Sequence, residues 1–366
     1  MKVKESMIGL VPYQPGRSME EVKQELGLDQ VVKLASNENP YGASPKAISA
    51  VSDAVQGIAV YPDGYAKKIR EKTAEKLHVS EKQLLFGNGS DEVILILCRA
   101  MLNPGENIVT AHPTFPQYKH NAVIEGADTV EVPLKNGVHD LDAMLQAITE
   151  KTKIVFVCNP NNPSGTYVNE AAFLDFLNKV PEDVLVVSDE AYYEYVTAAD
   201  YPDTIPLLKD HPNLLILRTF SKAYGLASLR VGFGVGSEAL IQAVEPGREP
   251  FNTNSAAQAA AEAALDDTTF LQECTEKNAE EMRKFTDFLD RHGFSYYPSE
   301  ANFLLLSVHR PGGEVFDRLL RAGYIVRNGE ALGFPEHVRI TLGTREQNQG
   351  IRNEIRRWLE LDEPDE

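Results

Sequence analysis

Thr219-Phe220-Ser221-Lys222-Ala223-Tyr224-Gly225-Leu226-Ala227-Ser228-Leu229-Arg230 follows a short apolar run, Leu214 to Leu217, that reads as a buried strand. Lys222 therefore falls just past a strand end, where an α/β sheet presents side chains to a crevice. A lysine beside hydroxyls and a glycine, with an arginine eight residues on, suits an amine that works on a carbonyl next to an anion. That is Schiff-base chemistry, with Ser221 and Arg230 holding a phosphate. A lone lysine at such a point is usually a solvated loop residue, so the rest of the chain must supply the other parts.

Outward from this stretch, strands and helices alternate. Leu84-Leu85-Phe86 is an apolar strand, and Gly87-Asn88-Gly89-Ser90-Asp91-Glu92 turns into a helix from Val93 to Leu102. Glycines before a helix start let backbone N–H groups approach a phosphate, although the spacing is neither a Walker loop nor a dinucleotide fingerprint. Further strands are expected at 107–110, 129–132, 154–158, 184–187 and 231–235, with helical patterns between most of them. Two of these runs end in polar groups: Asn159-Pro160-Asn161-Asn162-Pro163-Ser164-Gly165 and Ser188-Asp189-Glu190-Ala191-Tyr192. The alternation predicts an α/β fold with a mostly parallel sheet sandwiched by helices.

Nearer the N-terminus, Ser18 and Glu21 form a capping-box pattern for a helix ending near Gly27. Val31 to Leu34 is a short strand. Ala35-Ser36-Asn37-Glu38-Asn39-Pro40-Tyr41-Gly42 is polar and turn-rich and reads as a loop. Past Pro250, an alanine-rich helix (256–265) and a long amphipathic helix (270–291) lead to a different texture. Strands at 302–308, 325–327 and 338–342 alternate with helices at 314–322 and 346–361. We expect an N-terminal segment over 1–40, a large cofactor-binding domain over 41–270, and a smaller α+β domain over 271–366.

Composition narrows the function classes. The 366 residues carry 43% hydrophobic and 25% charged side chains, ordinary for a globular protein. The net charge of −18 argues against nucleic-acid or anionic-membrane partners, since both are polyanions. Cys98, Cys158 and Cys274 have neither disulfide nor metal-ligand spacing, and Cys98 and Cys158 read as buried thiols. With no secretory signal pattern, the expected location is cytoplasmic.

The polar strand ends supply what pyridoxal phosphate needs. Its ring is an electron sink only while the pyridine nitrogen stays protonated, and Asp189 is placed to pair with it. Tyr192 and Asn162 suit its phenolic oxygen, and Phe115 its ring face. The backbone around Ser90 and Asp91, the Ser221 hydroxyl and Arg230 suit the phosphate. Lys222 would bind the aldehyde and then shuttle a proton. Each residue has a plain structural alternative as cap, turn or core; their joint order is the argument.

Asn162-Pro163-Ser164-Gly165, Asp189-Glu190-Ala191-Tyr192 and Ser221-Lys222 with Arg230 resemble the fold-type I pyridoxal phosphate aminotransferases, the class of aspartate aminotransferase. Asn37-Glu38-Asn39-Pro40, Tyr61-Pro62-Asp63, Gly89-Ser90-Asp91-Glu92, Pro250-Phe251-Asn252-Thr253-Asn254 and Val338-Arg339-Ile340-Thr341-Leu342-Gly343 narrow the resemblance to the histidinol-phosphate aminotransferases. The resemblance implies a homodimer in which Tyr61 of one subunit touches the cofactor phosphate of the other. It implies Arg339 for the α-carboxylate of glutamate or 2-oxoglutarate, Arg327 near the phosphate of histidinol phosphate, and Tyr13 and Asn254 near the same end. Histidinol phosphate lacks a carboxylate, so one arginine pair must serve a carboxylate in one half-reaction and a phosphate in the other. An aromatic amino-acid aminotransferase, an amino-acid-phosphate decarboxylase and a ligand-sensing regulator on the same scaffold remain alternatives.

Overall fold

The computed structural model describes residues 2–12 and 16–361. Among these residues the chain forms thirteen strands: β1 (Val32–Lys33), β2 (Leu84–Gly87), β3 (Asn107–His112), β4 (Asp128–Pro133), β5 (Thr152–Cys158), β6 (Leu185–Asp189), β7 (Leu214–Thr219), β8 (Gly232–Gly236), β9 (Ser295–Tyr296), β10 (Phe303–Ser307), β11 (Tyr324–Ile325), β12 (Arg327–Asn328) and β13 (Val338–Thr341). Seven of them build one sheet in the order β2-β8-β7-β6-β5-β3-β4. The run from β7 to β4 is parallel throughout, as the alternation predicts. β8 is the exception, antiparallel to both β7 and β2. The link from β7 to β8 holds only a single turn of 3-10 helix, Ala227–Leu229. A parallel return would need a longer crossover, usually an α-helix.

The long strands are apolar on both faces because both faces are covered. Val155, Val157, Val186, Leu214 and Ile216 enter one core, which helices Pro45–Ala54, Glu170–Lys179 and Ser255–Leu265 close. Ile154, Phe156, Leu185, Val187, Leu215 and Leu217 enter the other, beneath helices Gly89–Met101 and Glu238–Val244. Each such side chain contributes about 1.5–3 kcal/mol when fully buried. The C-terminal edge of this sheet is held firmly from both sides.

A second sheet, in the order β12-β13-β10-β9, is antiparallel. Helices Thr268–Arg291, Gly312–Arg321 and Arg345–Trp358 share its core through Phe285, Leu319 and Ile351. The single strand expected at 325–327 is divided. β11 pairs in parallel with β1, whereas β12 joins β13. The chain changes partner at buried Val326, because the N-terminal run covers the edge that β11 presents. The helix expected from Ser18 and Glu21 spans Met19–Leu26, with both bonds of the capping box formed. All three cysteines are buried and unpaired. Among the described residues no helix is long and apolar enough to cross a membrane.

Candidate active site

A cavity of about 640 Å³ opens over the C-terminal ends of β3, β5, β6 and β7. This is the crevice position that an open α/β sheet reserves for ligands. Ser90, Asp91, Phe115, Asn162, Asp189, Tyr192, Ser221, Lys222, Arg230, Arg327 and Arg339 all line it. Two expected residues are not among its lining in the single chain. Tyr61 is 79% exposed and stacks on Phe251 at 4.8 Å between ring centroids. Asn254 caps helix Ser255–Leu265 by accepting from the Ala257 N–H at 2.8 Å, and donates to the Leu229 carbonyl at 3.1 Å. Tyr13 lies outside the described residues.

Lys222 occupies the bend between β7 and β8. Its Nζ donates to the Ser36 carbonyl at 3.1 Å and lies 5.7 Å from the centre of the Tyr192 ring. Burial, helped by the nearby charge of Arg339, lowers the Lys222 pKa to about 8. A substantial share of the amine is therefore neutral near physiological pH, as a nucleophile or base requires.

Asp189 ends β6. Its Oδ2 accepts from the Tyr118 hydroxyl at 2.6 Å and its Oδ1 from the Ala191 N–H at 3.2 Å. Both partners are neutral donors, and burial raises its pKa to about 6. A buried carboxylate facing a cavity stabilises a cation that enters it. Tyr118 is itself locked, stacked on Phe156 at 4.4 Å and met edge-on by Phe115 at 5.5 Å. Glu190, the next residue, does not line the cavity. Arg218 meets its Oε2 through Nε at 2.8 Å and Nη2 at 2.6 Å, while Ser188 and Thr204 donate to Oε1 at 3.0 and 2.6 Å.

The phosphate end is a cradle at the N-terminus of helix Gly89–Met101. Arg230 donates from Nη1 to Ser221 Oγ at 3.2 Å and from Nη2 to Asp91 at 3.1 Å. Gly89 adopts φ +74°, and a Cβ there would lie 2.6 Å from Arg230 Nη2. A Cβ on Gly232 would lie 2.5 Å from the Ser90 backbone nitrogen. Both glycines let backbone N–H groups, a hydroxyl and a guanidinium converge, which is the donor set an anion needs at a helix start. A buried amine, a buried acid and an anion cradle in one cavity fit pyridoxal phosphate.

The wall opposite is drawn from distant parts of the chain. Arg339 Nη1 donates to Asn162 Oδ1 at 2.6 Å, and its Nη2 donates to the Ala35 carbonyl at 2.7 Å. Arg327 stands directly across from Arg339 in the β12–β13 pair. Sequence reasoning missed Tyr118, although it lies three residues beyond Phe115, in the first turn of helix Gln117–Ile124. It also read 35–42 as a plain loop, whereas Ser36 and Asn37 line the cavity. The outer rim was missed as well: Glu131 there pairs with His112 Nδ1 at 3.0 Å and Lys119 at 2.5 Å.

This chain belongs to the class I and II aminotransferases, whose family model matches residues 29–355. Two curated relatives narrow the placement. The histidinol-phosphate aminotransferase of Geobacillus thermodenitrificans is 60% identical over 359 residues, 98% of each chain. That of Bacillus velezensis is 59% identical over 352 residues, 96% of this chain and 98% of the other. Within the class, the chain is thus placed among the histidinol-phosphate aminotransferases. A crystal structure of the Sinorhizobium meliloti histidinol-phosphate aminotransferase, in complex with pyridoxal 5'-phosphate, superposes with a TM-score of 0.88. It is 25% identical and covers 98% of both chains.

Proposed function

We propose that this protein transfers an amino group between L-histidinol phosphate and 2-oxoglutarate, giving imidazole-acetol phosphate and L-glutamate in two alternating half-reactions. The observation that carries the substrate assignment is the Arg327–Arg339 pair. Arg327 and Arg339 are paired in register on neighbouring antiparallel strands, and both line the cavity. A fork of planar donors suits a carboxylate and a phosphate equally, which is what the two half-reactions demand.

Pyridoxal phosphate, when bound, supplies the electron sink that accepts the electron pair left at the substrate Cα. The remaining roles fall to the chain. Lys222 Nζ would hold the cofactor aldehyde and, when freed for the task, would carry the proton between the substrate Cα and the cofactor carbon. Asp189 holds the ring nitrogen cationic through its negative charge. Tyr192 and Asn162 donate to the phenolic oxygen; Arg339 occupies the Asn162 carbonyl oxygen and leaves the amide NH₂ for that task. Phe115 packs on the ring, while Ser221, Arg230 and the backbone at Ser90 and Asp91 hold the phosphate. Arg339 takes the α-carboxylate and Arg327 the substrate phosphate.

The same reading includes a homodimer and a cytoplasmic location. Tyr61, Tyr65 and Phe251 are exposed beside Ile58 and Val60, more apolar surface in one stretch than a monomer usually leaves to water. Tyr61 would complete the partner's site, and Asn254 would lie near the substrate-phosphate end. The two separate cores support a large unit over 41–270 and a small one over 271–366, with 1–40 packed on the latter through β1.

The deciding experiment is a single half-reaction on purified holoenzyme, followed by cofactor absorbance. Histidinol phosphate and glutamate should each convert the cofactor, with phenylalanine much slower. Equal conversion by phenylalanine would favour an aromatic aminotransferase, and carbon dioxide released from a phosphorylated amino acid would favour a decarboxylase.

A further inference from the structure

Three consecutive residues in the stretch read as a loop each hold one reactive side chain. The Ala35 carbonyl accepts from Arg339 Nη2 at 2.7 Å, and the Ser36 carbonyl accepts from Lys222 Nζ at 3.1 Å. Asn37 Nδ2 donates to the Tyr192 hydroxyl oxygen at 2.9 Å. Asn37 is buried and sits at φ +56°, a left-handed conformation that asparagine tolerates better than most side chains. Its own carbonyl accepts from Asn302 Nδ2 at 3.1 Å. The segment is therefore pinned to β13 on one side and to the end of β6 on the other.

The hydrogen-bond inventory fixes which way the Asn37 amide faces. The Thr341 hydroxyl accepts from the Asn37 backbone N–H at 2.9 Å, so its one proton is free to donate to Asn37 Oδ1 at 3.0 Å. Turning the amide over would place NH₂ against Thr341 and leave that buried proton without an acceptor, a costly arrangement. The amide nitrogen must then face Tyr192, and the tyrosine oxygen must accept. Among the described residues the Tyr192 proton has no protein acceptor, and Tyr192 lines the cavity.

We propose that Asn37 is a positioning residue for Tyr192: by donating to Oη it turns the tyrosine proton into the cavity, toward the phenolic oxygen of pyridoxal phosphate. This rests on the aminotransferase reading above. Thr341 orients the amide, so β13, the strand that carries Arg339, also governs the donor that faces the cofactor.

The test is a double-mutant cycle on holoenzyme, read as the pH midpoint of the bound cofactor's absorbance. Tyr192→Phe removes the donor, and the midpoint should rise by roughly one pH unit, the size expected for one hydrogen bond to a charged oxygen. Asn37→Asp replaces the amide donor with an acceptor and turns the tyrosine proton away from the cavity. It should raise the midpoint comparably when Tyr192 is present, and by less than half as much in the Tyr192→Phe background. Equal shifts in both backgrounds, or no shift in either, would overturn the proposal. Asn37→Gly, which tolerates the same backbone angle, carries the same cycle without added charge and should shift the midpoint in the same direction by less. A wild-type protein with no cofactor band would instead sink the aminotransferase reading itself.

Discussion

Lys222 and Asp189 stand at the ends of β7 and β6, strands buried along their whole length. Arg327 stands on a strand of two residues and Arg339 on one of four. The floor of the cavity is held by a seven-stranded sheet with a core on each side. The wall is held by the smaller antiparallel sheet, covered by helices on its core side, and is tied to the rest of the cavity by single hydrogen bonds such as Arg339 to Asn162 and Arg339 to Ala35. The part that must stay still for bond making is built on the stiff element. The part proposed to accept two differently shaped anions is carried on short strands of the smaller sheet. The floor should therefore govern the rate of the chemical step, and the wall should govern which substrate is taken.

Lys222→Ala is the severest test of that division. It should lower turnover by at least about 10⁴-fold, the upper range for a positioned proton-transfer group, and should abolish the borohydride-trapped adduct at this position. Substantial remaining transamination would remove the floor's claim to the chemistry. Arg339→Gln probes the wall. The KM for glutamate should rise by about 10- to 100-fold, the worth of a charge-assisted bidentate contact, with a smaller change in kcat. A loss confined to kcat would erase the distinction between the two regions. The mildest test uses pH and the cofactor-free protein. Only the neutral Lys222 amine attacks an aldehyde, so its attachment rate should climb about tenfold per pH unit below the lysine pKa of about 8 and level off above it. A rate that still climbs tenfold per unit through pH 9 without levelling, read by stopped-flow absorbance, would mean that the floor does not tune its amine.

The same contrast explains what could be read in the chain. Long apolar runs followed by Asp189, Asn162 and Lys222 announce strand ends directly, because every residue of β6 and β7, and every residue of β5 but Lys153, is buried. The direction of β8 was not visible, since an apolar run does not reveal which way it pairs. The division between β11 and β12 was hidden for the same reason: the partner of Tyr324–Ile325 lies at Val32–Lys33, near the other end of the chain. Arg327 and Arg339 were found through resemblance, not through pattern. Tyr118 escaped because a tyrosine in a helix carries no signal until its partners are known, and Asn37 entered only within a family motif, its contact with Tyr192 being visible only in the fold.

Asp189 and Glu190 are neighbours in the chain, yet one faces the cavity and the other is neutralised by Arg218 behind it. Sliding β6 by one position against β5 and β7 would exchange their faces. A slip in one direction would set Ala191 in place of Glu190 beside Arg218, and a slip in the other would set Ser188 where Asp189 faces the cavity. The buried pair thus serves as a proofreading mark on strand alignment. A chain that zips up one step out of place loses either this buried ion pair or the acid of its cavity before it ever meets a cofactor.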